Sequence, residues 1–503
     1  STGRFHAVLA TKPHVRFEGM WLDLNGDSVF SEEERIIGAK QQGGIFAEIE
    51  GASFRAGKPE RVVLEESGPV KKVVALRGWL VPTKLYYVIR LYAYSGKSYI
   101  KMRISLVHPR VGESLSSENI TLRIDKAWVS LPLAIQTPTS ARIGLQGKQT
   151  ISPQPTTGFR VEHKNQTTRS VPLSYTVRHS GQEPDESDGR AEGWVEVADG
   201  NASFSLAFKD FWQRYPKAIE CSGSTIDAFM ISSPITLSSA QGGSAELTCF
   251  ARTTDQREKA QDICLGFAKA PLVLSPRRKE YNTETQALGP MVIPDGNGNW
   301  PKVESWISGI TAGTATYQRG DVGHLLGFLC YGDTPTGLWP PDTIQATHWG
   351  GNMYDHAYGL GREFFRTGKH IYLSVFDAAA RFCIETFMYN TEQQSWYLNG
   401  LAPSYELRWR SYKHVEHSWL EGAYLYYCLT GDMRAKERLL AGAENILSRG
   451  VYGTGARQTY QYAMNLLWAS RITGEQRYRN KAKEQLLNSY QEMDEKKEQL
   501  KMM

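Results

Sequence analysis

Paired cysteines are missing from this sequence. Its six (Cys221, Cys249, Cys264, Cys330, Cys383, Cys428) form no CxxC pair, so neither a zinc site nor a disulfide scaffold is indicated. Also missing is any uninterrupted apolar run of the roughly 20 residues that a bilayer span needs, so no membrane partner is expected. The chain opens at Ser1 with no initiator Met and no apolar signal core. Charge of one sign is scarce as well. The net +5 is spread along the chain and only Arg277-Arg278-Lys279 stands out, which leaves no footprint for nucleic acid but suits an anionic substrate. What is present is ordinary globular material. A length of 503 residues with 41% hydrophobic and 22% charged side chains allows about two or three cores.

The β pattern comes first. In Tyr99 to Val107 the residues Ile100, Met102, Ile104 and Leu106 alternate with Tyr99, Lys101, Arg103 and Ser105, the period of a half-buried antiparallel strand. The Tyr-, Val- and Ile-rich run from Leu85 to Tyr94 joins it through Ser95-Gly96-Lys97, a hairpin turn. Similar short runs continue to about Phe267 and predict a large β-sandwich over residues 1–270. Proline and turn residues then crowd together, from Pro276 through Asp295-Gly296-Asn297-Gly298-Asn299 to Pro301, and mark a linker over 271–309. Beyond it the period is helical, as in Tyr372, Val375, Phe376, Ala379 and Phe382. Three Thr-Gly pairs, Thr367-Gly368, Thr430-Gly431 and Thr473-Gly474, each predict the end of one helix and the start of its return partner. Stacked hairpins over 310–495 and a charged tail over 496–503 complete the expected order.

One stretch is anomalous. Six of the eleven histidines and seven of the thirteen tryptophans fall between residues 300 and 419. Imidazoles move protons near neutral pH, and indole faces pack on sugar rings. Two clusters hold most of them. One runs from His348 and Trp349 through Asn352, Tyr354 and Asp355 to His356. The other runs from Arg408 and Arg410 through Tyr412, His414, Glu416 and His417 to Trp419, Glu421 and Gly422. Both precede a helix, at the mouth of a hairpin. The same residues also read as hairpin packing (Trp349, Tyr354, Trp419) or as satisfied histidines (His356, His417).

Several segments carry a family likeness when taken in order. They are Leu64-Glu65-Glu66-Ser67-Gly68-Pro69-Val70-Lys71-Lys72-Val73-Val74, Tyr94-Ser95-Gly96, and Phe211-Trp212-Gln213-Arg214-Tyr215-Pro216-Lys217. Tyr331-Gly332-Asp333, Asn352-Met353-Tyr354-Asp355-His356, His417-Ser418-Trp419-Leu420-Glu421-Gly422 and Leu429-Thr430-Gly431-Asp432 follow. The set resembles the exo-rhamnogalacturonan lyase-like polysaccharide lyases, and ulvan lyases look similar. The resemblance implies a multidomain α and β fold: an N-terminal antiparallel β-sandwich, then an (α/α) toroid of helical hairpins. About three or four hairpins of ordinary length fit after Gly313, so the toroid is expected to be incomplete.

A lyase of that kind is secreted or periplasmic and cleaves an acidic, uronate-bearing polysaccharide or oligosaccharide by β-elimination. The C5 carboxylate must be neutralised, a base must take the C5 proton, and an acid must protonate the departing O4. Asn352, Arg408 and Arg410 are the candidate neutralisers; His356, His414 or His417 the base; Tyr354 or Tyr412 the acid; His348, Trp349 and Trp419 further substrate contacts. A glycoside hydrolase would instead need two opposed carboxyls about 5 to 10 Å apart. Asp355, Glu416 and Glu421 are candidates for it, with Asp333 and Glu363 behind them. A glycan-binding protein without catalysis is the third reading. Finally, Asp23, Asn25, Asp27 and Glu34 take oxygen-ligand positions of a calcium loop, with Ser28 where that loop has glycine; the same spacing also makes a polar turn.

Overall fold

A computed structural model describes residues 3–502 except 39–42, 83, 110–120, 136–137, 147–149, 152–157, 165–172, 223, 239, 254–259, 269–278, 295–299, 320–325, 334–354, 389, 391–417 and 450–455. The protein is mixed, with antiparallel sheets followed by helices. Two large sheets, of nine and eight strands, face each other across one contiguous core. Met102, Ile104, Leu106 and Leu247 enter it from the first sheet and Val129, Val161, Ile219 and Ala228 from the second. The expected hairpin is present: Leu85–Tyr94 pairs with Tyr99–Val107 in the register Tyr86↔Val107 to Ala93↔Ile100, and Gly96 takes the left-handed backbone (φ 70) that the turn needs.

Nine helices follow among the described residues: α1 (Ala260–Ala268), α2 (Lys279–Glu284), α3 (Pro301–Arg319), α4 (His356–Thr367), α5 (His370–Phe382), α6 (Glu421–Thr430), α7 (Met433–Arg449), α8 (Ala456–Thr473) and α9 (Gln476–Met502). A π-turn, Cys383–Phe387, extends α5. The Thr-Gly marks end α4, α6 and α8, and each is built alike. Thr367, Thr430 and Thr473 donate their hydroxyls to the carbonyls of Glu363, Tyr426 and Ala469 at 2.7, 2.6 and 2.9 Å. Each accepts the amide two residues on, while Gly368, Gly431 and Gly474 turn left-handed at φ 67, 67 and 75. Three hairpins result, with α6 packed between α4 and α8.

Four helices lie where the sequence suggested otherwise, among them α2, which falls wholly within the expected linker. The α1 segment lies inside the expected β part. Its Ile263, Cys264 and Phe267 have helical spacing and pack on Trp194 and Phe250 of the nine-stranded sheet, a pattern too short to stand out beside strand runs. The α3 helix begins within the expected linker because Pro301 suits a first helical turn, where its missing N–H is no loss. The expected charged tail is the end of α9.

The outer face of the nine-stranded sheet is the larger surprise. Its polar residues, which alternation alone assigns to solvent, are covered by the helices and joined to them by ion pairs. Arg103 bonds Glu246 of its own sheet at 3.0 Å and Asp432, ahead of α7, at 2.8 Å. Arg434 joins Asp432 at 2.7 Å, Ser244 at 2.8 Å and Glu385. Arg214 reaches Glu385 at 2.6 Å, Arg381 reaches Asp210 at 2.5 Å and Lys209 reaches Asp377 at 3.0 Å. Arg90 holds Glu65 at 2.8 Å and also meets Glu437. Burial pushes the Glu385 carboxyl up, but Arg214, Arg434 and Arg381 outweigh it and hold the group down at about 2. Asp377 and Asp432 are held below the carboxylate range in the same way.

Candidate functional site

The starts of α4 and α6 meet at one carboxylate. Asp355 caps α4 from a left-handed backbone (φ 51, ψ 59), a conformation that Asp tolerates better than most side chains. Its Oδ1 accepts the Tyr358 amide at 2.9 Å and its Oδ2 accepts the Gly422 amide at 2.8 Å. Both amides sit at helix N-termini, where negative charge is favoured. Position 422 must be glycine for this approach, since a Cβ there would stand 2.6 Å from Asp355 Oδ1. Asn465 of α8 donates to the buried Ser418 carbonyl at 2.7 Å and brings the third hairpin to the same mouth.

Glu421 is the first residue of α6, is 4% exposed, and precedes Gly422, whose amide binds Asp355, so the two carboxyls are neighbours. Burial, and then the Asp355 charge, push it well above the carboxylate range. Two neighbouring carboxyls in a dry site resist being ionised together, so Glu421 keeps its proton to higher pH than a free carboxyl does. Its Oε2 is buried with no hydrogen-bond partner among the described residues. Two phenols feel the pair. Tyr358 is pushed up by burial against the pull of Arg362, with Glu421 and Asp355 adding to the rise. Tyr460 is pushed up by burial and then by the same two carboxyls. At 51% exposure, Tyr460 carries the cluster to solvent. The arrangement offers a carboxyl that holds its proton above the usual carboxylate range beside an anion, which suits a proton donor.

Of the residues singled out from the sequence, Asp355, His356, Trp419 and Glu421 stand at this mouth. His356 opens α4, and burial alone lowers its imidazole to about 4, so it is neutral near pH 7, with Nε2 cut off from solvent. His348, Trp349, Asn352, Tyr354, Arg408, Arg410, Tyr412, His414, Glu416 and His417 lie outside the described residues. Asp333 is buried beyond the Gly327 turn, and Glu363 is paired with Arg366 at 2.7 Å. Neither joins the carboxyl pair. Tyr358 and Tyr460 were not legible as site residues, because each sits in an ordinary amphipathic helix pattern.

The N-terminal loop closes on its own amides. Asp23 accepts Gly26 and Ser28 amides at 2.6 and 3.1 Å, and Asn25 accepts that of Asp27 at 2.9 Å. Asp27 accepts Val29 at 2.7 Å, and Glu34 accepts Leu24 and Ser31 at 2.7 and 3.1 Å. Asp23 and Glu34 are buried while Asp27 is exposed. Among the described residues no group of three or more His, Cys, Asp or Glu side chains is placed to hold a metal ion. The oxygens form a chain of polar turns rather than a cage.

No family model matches the sequence, and no curated protein matches it. Solved structures give faint likenesses. The GH36 α-galactosidase AgaA from Geobacillus stearothermophilus is 9% identical over 50% of this chain and 40% of that one, with a TM-score of 0.30. A galactose mutarotase related enzyme from Lactobacillus acidophilus is 8% identical over 50% and 98%, with a TM-score of 0.27. A putative aldose 1-epimerase from Escherichia coli K12 is 6% identical over 50% and 99%, with a TM-score of 0.24. This chain therefore spans about two fifths of the α-galactosidase. Likenesses of this size transfer neither activity nor substrate. Among the described residues no helix is long and apolar enough to cross a membrane.

Proposed function

We propose that this chain is a carbohydrate-active enzyme, secreted or periplasmic, that cleaves an acidic, uronate-bearing glycan by β-elimination. Its helical hairpins would be part of an incomplete toroid beside the sandwich. The observation that carries the reading is the buried Glu421 carboxyl beside Asp355 at a helix-hairpin mouth. In the proposed step a base, drawn from His414 and His417 of the adjoining cluster, takes the C5 proton. The C5–H electrons form the C4–C5 double bond, the C4–O4 bond breaks, and Glu421 gives its proton to the departing O4. Asn352, Arg408 and Arg410 supply the neutralising groups for the C5 carboxylate. Tyr354 and Tyr412, the acids suggested by sequence, become alternatives to Glu421.

The hydrolase reading asks for carboxyls about 5 to 10 Å apart with the sugar between them, whereas Asp355 and Glu421 are neighbours at one helix mouth, Asp355 binding the amide of Gly422. The test is digestion of uronate polymers followed in parallel by ultraviolet absorbance and by new reducing ends. Elimination raises both, because the double bond conjugates with the carboxylate. Reducing ends without absorbance would mean hydrolysis, and neither signal would leave glycan binding. Replacing the acid, Glu421→Gln, should lower turnover by about 10² to 10⁴.

A further inference from the structure

A groove of about 490 Å³ opens where α8 turns into α9, within the size range of about 300 to 1,000 Å³ usual for small-molecule sites. Met464, Leu467 and Trp468 form its apolar wall, Arg471 and Arg479 bring two positive charges, and no acidic residue is among its described lining residues. The wall is held in place. Trp468 is 5% exposed and its ring lies 4.4 Å from that of Tyr424. The Arg471 guanidinium sits 4.6 Å over the same indole. A stacked guanidinium has already lost some of its rotamer freedom, so less is lost when an anion docks on it.

We propose that this groove binds an anionic pyranose, a sugar ring bearing a carboxylate. Met464 and Leu467, both half-buried on the groove wall, offer apolar contact to C–H groups of the ring while the buried Trp468 backs them, and the fork of Arg471, with Arg479 beside it, suits a planar carboxylate. Neither a neutral sugar nor a bare anion would use both halves. The site stands apart from the elimination chemistry, since binding here needs no turnover and no contact with Glu421.

The experiment is calorimetric titration of the full chain with D-glucuronate, D-glucose and sodium sulfate. Glucuronate should bind saturably, with glucose and sulfate each at least about tenfold weaker. Arg471→Gln should weaken glucuronate binding by about tenfold or more, roughly 1.4 kcal/mol, and leave the weak glucose signal unchanged. Both arginines are exposed, so the variants should fold, and Arg479→Gln carries the same test if Arg471→Gln does not. Glucose or sulfate binding as tightly as glucuronate would overturn the proposal. So would an unchanged affinity in a folded Arg471→Gln variant, or no saturable glucuronate binding at millimolar concentrations.

Discussion

Replacing Glu421 with glutamine should make the protein more stable relative to wild type as the pH rises. Glutamine keeps the shape of the neutral acid, and its amide can donate to Asp355, so the contact at the mouth of α4 and α6 survives. What changes is the proton. In the folded chain Glu421 is pushed well above the usual range by burial and by Asp355, whereas in the unfolded chain it titrates near pH 4.3. Between those two values the folded state holds a proton that the unfolded state has released, so wild-type stability falls as pH rises. The slope for one such group is about 1.4 kcal/mol per pH unit. It is zero below the unfolded value, because both states are then protonated, and zero again above the folded one. Glutamine has no such term. The stability difference, variant minus wild type, should therefore grow by about 1.4 kcal/mol per unit from pH 4.3 upward and then level off. Urea denaturation of both proteins at closely spaced pH values measures it, and taking the difference cancels the titrating groups that do not interact with this carboxyl pair. Parallel stability profiles from pH 4 to 8 would refute the reasoning, since they would mean that Glu421 ionises alike in both states.

Two further outcomes follow from the same structure. Arg434→Met should lower stability by about 3 to 5 kcal/mol in urea denaturation, because Asp432 and Glu385 lose a buried partner while their charges stay in the seam. Asp23→Ala should cost about 1 to 3 kcal/mol by stranding the Gly26 and Ser28 amides, and thermal melts should show the same loss with calcium as with a chelator.

The hairpin of Leu85–Tyr94 and Tyr99–Val107 was legible because alternation and a turn glycine are local signals. The Thr-Gly caps were legible for the same reason: hydroxyl, carbonyl and glycine all lie within a few residues of one another. The fate of Arg103 was not. A polar residue on the outer side of a strand reads as solvent-facing, and its partner Asp432 is 329 positions away. Nothing local distinguishes an arginine facing water from one facing a carboxylate. Asp355 and Glu421 were legible as candidates, since both sit in aromatic- and histidine-rich clusters. Their contact was not, because it depends on Gly422 admitting the Asp355 carboxylate across 67 positions.

The charged seam between sheet and helices bears on how such a chain can change over evolutionary time. An apolar interface tolerates a new partner of roughly the right shape, but guanidiniums and carboxylates in the dry must meet groups of opposite sign at set places. Arg103, Glu246 and Lys209 on the sheet side, with Asp432, Arg434 and Asp377 on the helix side, therefore bind the two layers into one heritable unit. Grafting this sheet under foreign helices would strand those charges without partners and without water.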